Sequence, residues 1–477
     1  MKNKMITPLY KVLLVVALGY MLSSCGTYQR VAKAPAAVPD SFPGKRDSAS
    51  IGNLKYAAFL EDTLLIQLID TALVRNIDRR IISQKIEMAM SEYRFSKAQF
   101  FPTLNATAFT NPRKFGYFTM DDAGNRVTEL SPGRLIPTHL PDYFAGFQTS
   151  WELDVWGKLS HRKKAALSRF LSEVEGQHAW TTILVEKVSS LYTELVALDV
   201  ELEIIRKSQK LQSEALEIMK VKKEAAHVNA LSVKQFEALV ARSLSIEVEL
   251  EQKIVRLENE LNGWLNRYPE KIKRTRIFFD KDSLFTDLSR GVPADLLLLR
   301  PDIRSAEQNL WASEADVKAA KAAFYPSFNI QGSLGFQAFS TQFLLNFPQS
   351  FAYNFLGSLT GPLINRAAIK SHFRKANAQQ IEALLRYQKS VINAYLEVAS
   401  ELSSIGYIAS MMELKQREAA ALNESVEISK ELFLGGKASY LEVLSAQRDA
   451  LEANRELVYL KKIKVETGIR LYKALGG

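Results

Sequence analysis

Residues 319–335 read AAKAAFYPSFNIQGSLG, and the period of the chain changes inside them at a single proline. Up to Tyr325 the run is rich in Ala and Lys, which favour helix. After Pro326, Phe328, Ile330, Gly332, Leu334 and Phe336 alternate with Asn329, Gln331, Ser333, Gly335 and Gln337. That is the period of two of a strand with opposite polarity on its two faces. Residues 97–108, KAQFFPTLNATA, make the same switch at Pro102, 224 positions earlier (326 minus 102). The chain therefore reads as built twice, each half passing from helix to strand at a proline.

The composition limits what such a duplication can be. With 47% hydrophobic and 24% charged residues over 477 positions, the chain is neither disordered nor a bundle of membrane helices. Its length would suit two or three domains, but long proline-free tracts point to one elongated body. The net charge of +10 is spread out, and its densest cluster is KIKRTR at 271–276. With no nucleic-acid fold signature around it, that cluster reads as a solvated connector, and no nucleic-acid partner is expected. Nor is an enzyme. His139, His161, His178, His227 and His372 have no ligand spacing, Cys25 has no second cysteine to join it, and neither GxSxG nor a P-loop occurs. No catalytic residue, metal or cofactor is expected apart from a covalent lipid.

That lipid belongs to the N-terminus. Lys2, Lys4 and Lys11 precede the apolar run Val12 to Met21, and Ser23-Ser24-Cys25-Gly26 follows, the order of an export signal. The run is too short to span a bilayer. It resembles a bacterial lipoprotein signal. The resemblance implies removal of residues 1–24 and acylation of Cys25; Gly26 in place of Asp implies sorting to the outer membrane. Residues 25–61, with Ala-Pro and Pro-Asp turns, read as an extended tether.

The first repeat is expected over 62–266. A helix capped at Asp62 or Thr63 runs to about Phe100, and strands follow at 103–110 and 143–153. The stretch between them, with Asn111-Pro112 and Ser131-Pro132-Gly133, is loop chemistry. A long helix covers 158–225, where Leu184, Val188, Leu191, Leu195, Leu198, Leu202 and Ile205 form a strict heptad seam. After a break the chain returns as a helix over 230–266. Residues 267–295 connect to the second repeat, 296–477. Its helix is opened by Arg300, Pro301 and Asp302, a proline at the first position and a carboxylate in the first turn. Strands are expected at 327–337 and 351–361, a long helix at 364–434, a break at Gly435-Gly436 and a return helix at 438–475.

Four strands of roughly ten residues match the length needed to cross a bilayer. Backbone groups in lipid must all be paired, so the sheet has to close, and four strands cannot close alone. A dimer would give eight strands with a filled interior, whereas a trimer gives twelve and leaves a conduit. The competing fold is a soluble β-sandwich with helical arms, which the export signal and the polar second face of every strand disfavour.

Five segments, taken in order, carry a family resemblance: SWELDVWGK (150–158), LLLLRPDIRSAEQNL (296–310), AAFYPSFNIQGSLGF (322–336), LTGPLIN (359–365) and GGKASYLEVLSAQRDALEAN (435–454). Together the chain resembles the TolC-like outer-membrane efflux family, in its lipoprotein branch. The resemblance implies an α+β membrane protein, a homotrimer whose twelve-stranded transmembrane β-barrel continues as a long periplasmic α-helical barrel. It also implies the outer-membrane member of an RND-type tripartite efflux system, an exit duct held in outer-membrane lipid. Its partners would be an inner-membrane transporter and a periplasmic adaptor, or membrane fusion protein. Pro102 and Pro326 would mark the periplasmic face of the membrane, with return crossings near Gly157 and Asn365.

The family closes its pore at the hairpins, here near His227 and Gly435, where relatives often carry two acidic residues. This chain has Glu442 at one position and Ser445 at the other. Three copies of Glu442 would make a cation-attracting ring beside a constriction at Leu441, although a carboxylate is favoured at a helix start in any case. The first-repeat counterparts, Leu231, Ser232 and Gln235, carry no charge. A lipid-anchored coiled-coil adaptor or scaffold, and an exit duct for type I protein secretion, are the competing functions. The cargo (drug, metal ion, detergent-like molecule or peptide) stays open.

Overall fold

The computed structural model describes residues 55–280, 300–361 and 367–476. Cys25, the signal over 1–24, Asn365 and the later part of the expected connector lie outside them. The chain opens with α1 (Tyr56–Leu60), α2 (Thr63–Arg75) and α3 (Ile77–Ala98). α1 corrects the expectation of an extended tether reaching residue 61: Phe59 is buried, its ring stacked 4.4 Å from that of Tyr472. The single helix expected from Asp62 to Phe100 is two helices. Asn76 leaves helical geometry (φ −60°, ψ 127°), and its side chain accepts from the N–H groups of Asp78 and Arg79. Asparagine competes for backbone hydrogen bonds inside a helix and is favoured as a cap. Asp62 caps α2 in the same way.

After Pro102 comes β1 (Thr103–Lys114), and its partner is β4 (His139–Leu153). Both outrun the expected 103–110 and 143–153. Pro112 and Pro141 lie opposite each other in the ladder, beyond Tyr143, where the pairing of β4 with the next strand stops. There β4 has a free side, where proline is tolerated, so Asn111-Pro112 is paired strand rather than turn. The loop expected between them contains α4 (Met120–Val127), capped by Thr119, and a small hairpin, β2 (Glu129–Ser131) and β3 (Arg134–Leu135). Next come α5 (Lys158–Glu224), which at 1.5 Å per residue is about 100 Å long, and α6 (Ala230–Trp264). The second repeat supplies α7 (Pro301–Ala322), β5 (Ser327–Ala338), β6 (Phe351–Thr360), α8 (Ala367–Leu434) and α9 (Tyr440–Ala474).

The repeat is close in length. α3 and α7 have 22 residues each, β1 and β5 have 12, and α6 and α9 have 35. The first two pairs are offset by 224 (301 minus 77) and the last by 210 (440 minus 230). The extra length of the first repeat therefore lies between its first strand and its return helix, where α4 and the β2–β3 hairpin are inserted.

The main sheet is antiparallel in the order β1-β4-β5-β6, and the helices below it keep that order, α3 on α5, α5 on α7 and α7 on α8. Covalent continuity explains the match: α3 leads into β1, β4 into α5 and α7 into β5, while β6 precedes α8. Further from the sheet, α6 packs on α5, and α9 packs on both α8 and α5. The core runs along α5, where every member of the heptad seam except the half-buried Leu202 is buried.

Residues 271–276, expected as a solvated connector, keep Lys271, Lys273 and Arg276 exposed but form a clasp around Arg274 and Thr275. Arg274 is largely buried and pairs with Asp199 at 2.5 Å and Glu258 at 2.6 Å, and Arg276 pairs with Glu203 at 2.6 Å. The Thr275 N–H donates to the Tyr192 hydroxyl and the Thr275 hydroxyl to Asp62. Asp199 and Glu203 sit on α5, Glu258 on α6 and Asp62 at the cap of α2, so the match is visible only in three dimensions.

Candidate functional site

The four strands place their residues in rows across the sheet. Leu104, Thr149, Gly332 and Phe355 form one row, and Ala106, Phe147, Leu334 and Tyr353 the next. Phe147, Leu334, Tyr353 and Phe355 on this apolar face remain exposed, at 49–78%. The intervening rows are polar but for one leucine: Asn105, Gln148, Ser333 and Asn354, then Thr103, Ser150 and Gln331 with Leu356 as the exception. One face is therefore suited to lipid and the other to water. Gly146 and Gly335 meet at the centre of the polar face, where a Cβ on Gly335 would lie 2.5 Å from the Ala145 carbonyl oxygen. Only glycine allows the two strands to approach so closely.

Indole groups latch both helix-to-strand switches. Trp151 Nε1 donates to the Phe100 carbonyl at 2.9 Å, just before Pro102, and Trp156 Nε1 donates to the carbonyl of Pro326 itself at 2.7 Å. The Trp156 ring stacks on Tyr325 at 4.9 Å. On the return crossing Gly157 takes φ 74°, and Asp154 accepts from the N–H groups of Leu159 and Ser160 to cap α5.

A second matched pair stands at the helix starts. Asn76, heading α3, donates from Nδ2 to the Trp264 carbonyl at the end of α6, at 2.9 Å. Arg300, heading α7, donates from Nη1 to the Ala474 carbonyl at the end of α9, at 2.7 Å. Donors and acceptors are repeat equivalents, so each repeat ties the C-terminal carbonyls of its return helix to the start of its first long helix. Arg300 also pairs with Asp302 and Glu397, both at 2.9 Å, and is almost wholly buried. Burial opposes both charges, yet the hydrogen-bonded pairing outweighs it: Arg300 is held above its ordinary pKa and Asp302 below its own. Pro301 occupies the first helical position.

At the far end of the molecule the two hairpins share one backbone. The His227 N–H donates to the Lys222 carbonyl and the Lys437 N–H to the Leu432 carbonyl, at 2.9 and 2.8 Å. Ala226 and Gly436, 210 positions apart, take left-handed φ values of 57° and 68°. Each long helix thus ends in the Schellman arrangement, which normally selects glycine. The hairpins are joined by a small core of Met219, Val233, Phe236, Phe433 and Val443. Lys222 Nζ lies 3.9 Å from the Phe433 ring centroid and donates to the Phe433 carbonyl at 3.1 Å.

The residues singled out from the sequence do not share one environment. Leu441 and Glu442 are exposed, and Glu442 accepts from the Ser439 hydroxyl at 3.3 Å, a contact between side chains that leaves the backbone of the first turn uncapped. Ser445 is half-buried and donates to Asp449 at 3.2 Å. Asp449 is half-buried and also pairs with Arg448 at 3.1 Å. It lies seven residues after Glu442, on the same helix stripe, and that interval was its only signal in the sequence. In the first repeat Leu231 is exposed, Ser232 is fully buried against Asn229, and Gln235 keeps a buried Oε1 without a protein partner.

This architecture has a known family. Residues 68–267 and 292–477 match the model of the outer membrane efflux protein, and the chain belongs to that family, whose members are channels rather than enzymes. It is 28% identical over 444 residues to the solvent efflux pump outer membrane protein SrpC of Pseudomonas putida, covering 92% of this chain and 90% of that one. It is 25% identical over 475 residues to the probable outer membrane lipoprotein SilC of Salmonella typhimurium, covering 98% of each. A crystal structure of CusC shares the fold, with a TM-score of 0.82 and 24% identity over 95% of this chain and 99% of that one. The protein is an outer-membrane efflux channel.

Proposed function

We propose that three copies of the chain close into the exit duct of a tripartite efflux system, carrying small solutes passively from an inner-membrane transporter and a periplasmic adaptor to the exterior. One observation carries this reading: the sheet and the helix layer are open at corresponding edges, and the edge helices carry exposed apolar stripes. On α3 these are Ile77, Ile81, Met88 and Phe95, and on α8 Ile381, Leu385, Ile392 and Leu396, both at heptad-compatible spacing. The outer strands β1 and β6 each have one unpaired edge, which lipid does not tolerate. Joining β1 to β6 and α3 to α8 of successive copies satisfies both at once. Three copies give twelve strands with the polar face inward.

The hairpins then lie at the periplasmic tip. Glu442, with Asp449 seven residues further along the same stripe and partly offset by Arg448 at 3.1 Å, forms an acidic gate beside Leu441, in a chain anchored in the outer membrane through acylated Cys25. SrpC is named for solvents and CusC, in Escherichia coli, for cations; small solutes are the cargo class we adopt. Light scattering on the detergent-purified protein tests the assembly: a protein mass near three times that of the processed chain, which is somewhat less than the 53.7 kDa of the full sequence, is expected, and a monomer or dimer would sink it. In planar bilayers Glu442→Gln should lower cation preference, and an unchanged reversal potential would remove Glu442 from the gate.

A further inference from the structure

We propose that the groove between α5, α7 and α8, directly below the sheet, is an anion-binding site on the channel wall that draws phosphate-bearing or carboxylate-bearing solutes toward the barrel. The inference rests on the trimeric duct for its place in a lumen, and on the groove itself for its chemistry. The groove has a volume of about 450 Å³. Arg162 and Arg169 of α5 and His372 and Lys375 of α8 line it, against a single acid, Asp316 of α7, which is paired with Arg169. Its floor is made of alanines, among them Ala319, Ala320 and Ala323, so the space is hollow because the side chains are small. The stretches 158–172 and 367–381 that flank it contain no Asp or Glu.

Two observations place the groove on the water-filled side. Lys158, one turn before Arg162, reaches Glu152 at 2.6 Å, and Glu152 shares the polar strand face with Gln148 and Ser150. On the other side of the same helices, Trp156 stacks on Tyr325, the aromatic signature of a membrane boundary. Tyr325 continues the exposed line of Trp311 and Lys318 at intervals of seven, whereas Asp316 lies off that line. The cations therefore sit at the opposite end of the duct from Glu442 and carry the opposite charge. Three copies would place at least nine fixed cations in one collar, three each of Arg162, Arg169 and Lys375, against three Asp316 carboxylates.

Local charge can be read with a cysteine at Gln379, an exposed residue on the groove wall, with the unsubstituted chain as the control for any labelling at Cys25. With each rate divided by that reagent's rate on a free thiol in the same buffer, a sulfonate-bearing methanethiosulfonate should label Gln379→Cys in the purified full-length protein faster than its trimethylammonium counterpart, on the order of tenfold at low salt. Arg162→Gln with Lys375→Gln, which leaves the Arg169–Asp316 pair intact, should bring the two rates together. Arg162→Lys with Lys375→Arg should restore the difference. Equal rates in the starting protein, or a difference that survives the double Gln variant, would overturn the site. A protein that is not trimeric but shows the expected ratio would keep the groove and remove only the lumen.

Discussion

Asn76 and Arg300 do the same work with different chemistry. Each caps the end of a return helix by donating to a repeat-equivalent carbonyl, Trp264 or Ala474. Asn76 does this with a neutral amide that also caps its own helix. Arg300 does it with a buried charge that needs Asp302 and Glu397 to be tolerable. A duplicated fold can thus conserve a contact while letting its electrostatics diverge, and the charged version depends on more neighbours. Removing one member of a buried pair costs more than the pair contributes, because the partner charge is left unmatched.

The largest effect should therefore come from Arg300→Ala, about 3 kcal/mol of destabilisation in denaturant unfolding of the detergent-solubilised protein, since Asp302 stays 44% exposed and Glu397 keeps Lys473. A loss no greater than that of the amide variant would break the distinction. Asn76→Ala removes a cap and a contact to a helix-end carbonyl, and about 2 kcal/mol is expected. Acid should separate the two sites further. Asp302 is held below its ordinary value of 3.8, so its contribution is complete above that pH and is lost as pH falls through its lower folded value. Arg300→Ala should flatten that stretch of the stability curve, whereas Asn76→Ala should leave it in place.

The hairpins give the smallest effects and a change of sign. Gly436→Ala puts a Cβ on a left-handed residue and should cost about 1–2 kcal/mol. Ala226→Gly relieves the same strain in the first repeat and should stabilise by up to about 1 kcal/mol, since the relief is partly offset by glycine's greater freedom in the unfolded chain. Equal signs would mean that the shared backbone does not govern the two turns.

The duplication, the two-faced strands, the long helices and the proline switches were legible because each is a local period. Ala226 was only an approximate break, since alanine gives no turn signal. Asn76 was hidden inside a continuous apolar pattern, and β1 and β4 were cut short at prolines that prove to be paired. At Pro112 and Ala226 a tertiary neighbour decided against the local preference, the opposing strand in one case and the joined hairpin core in the other, whereas at Asn76 a local capping preference and the contact to Trp264 act together.

Periodicity alone determined that helix gives way to strand at Pro102 and Pro326, because side-chain direction follows from backbone geometry at short range. Only the tertiary structure decided which indoles hold those switches, that Arg274 is a clasp rather than part of a solvated patch, and that Arg162, Arg169 and Lys375 share one groove. Charges interact through space, and their net effect depends on distances and burial that the order of residues along the chain does not contain.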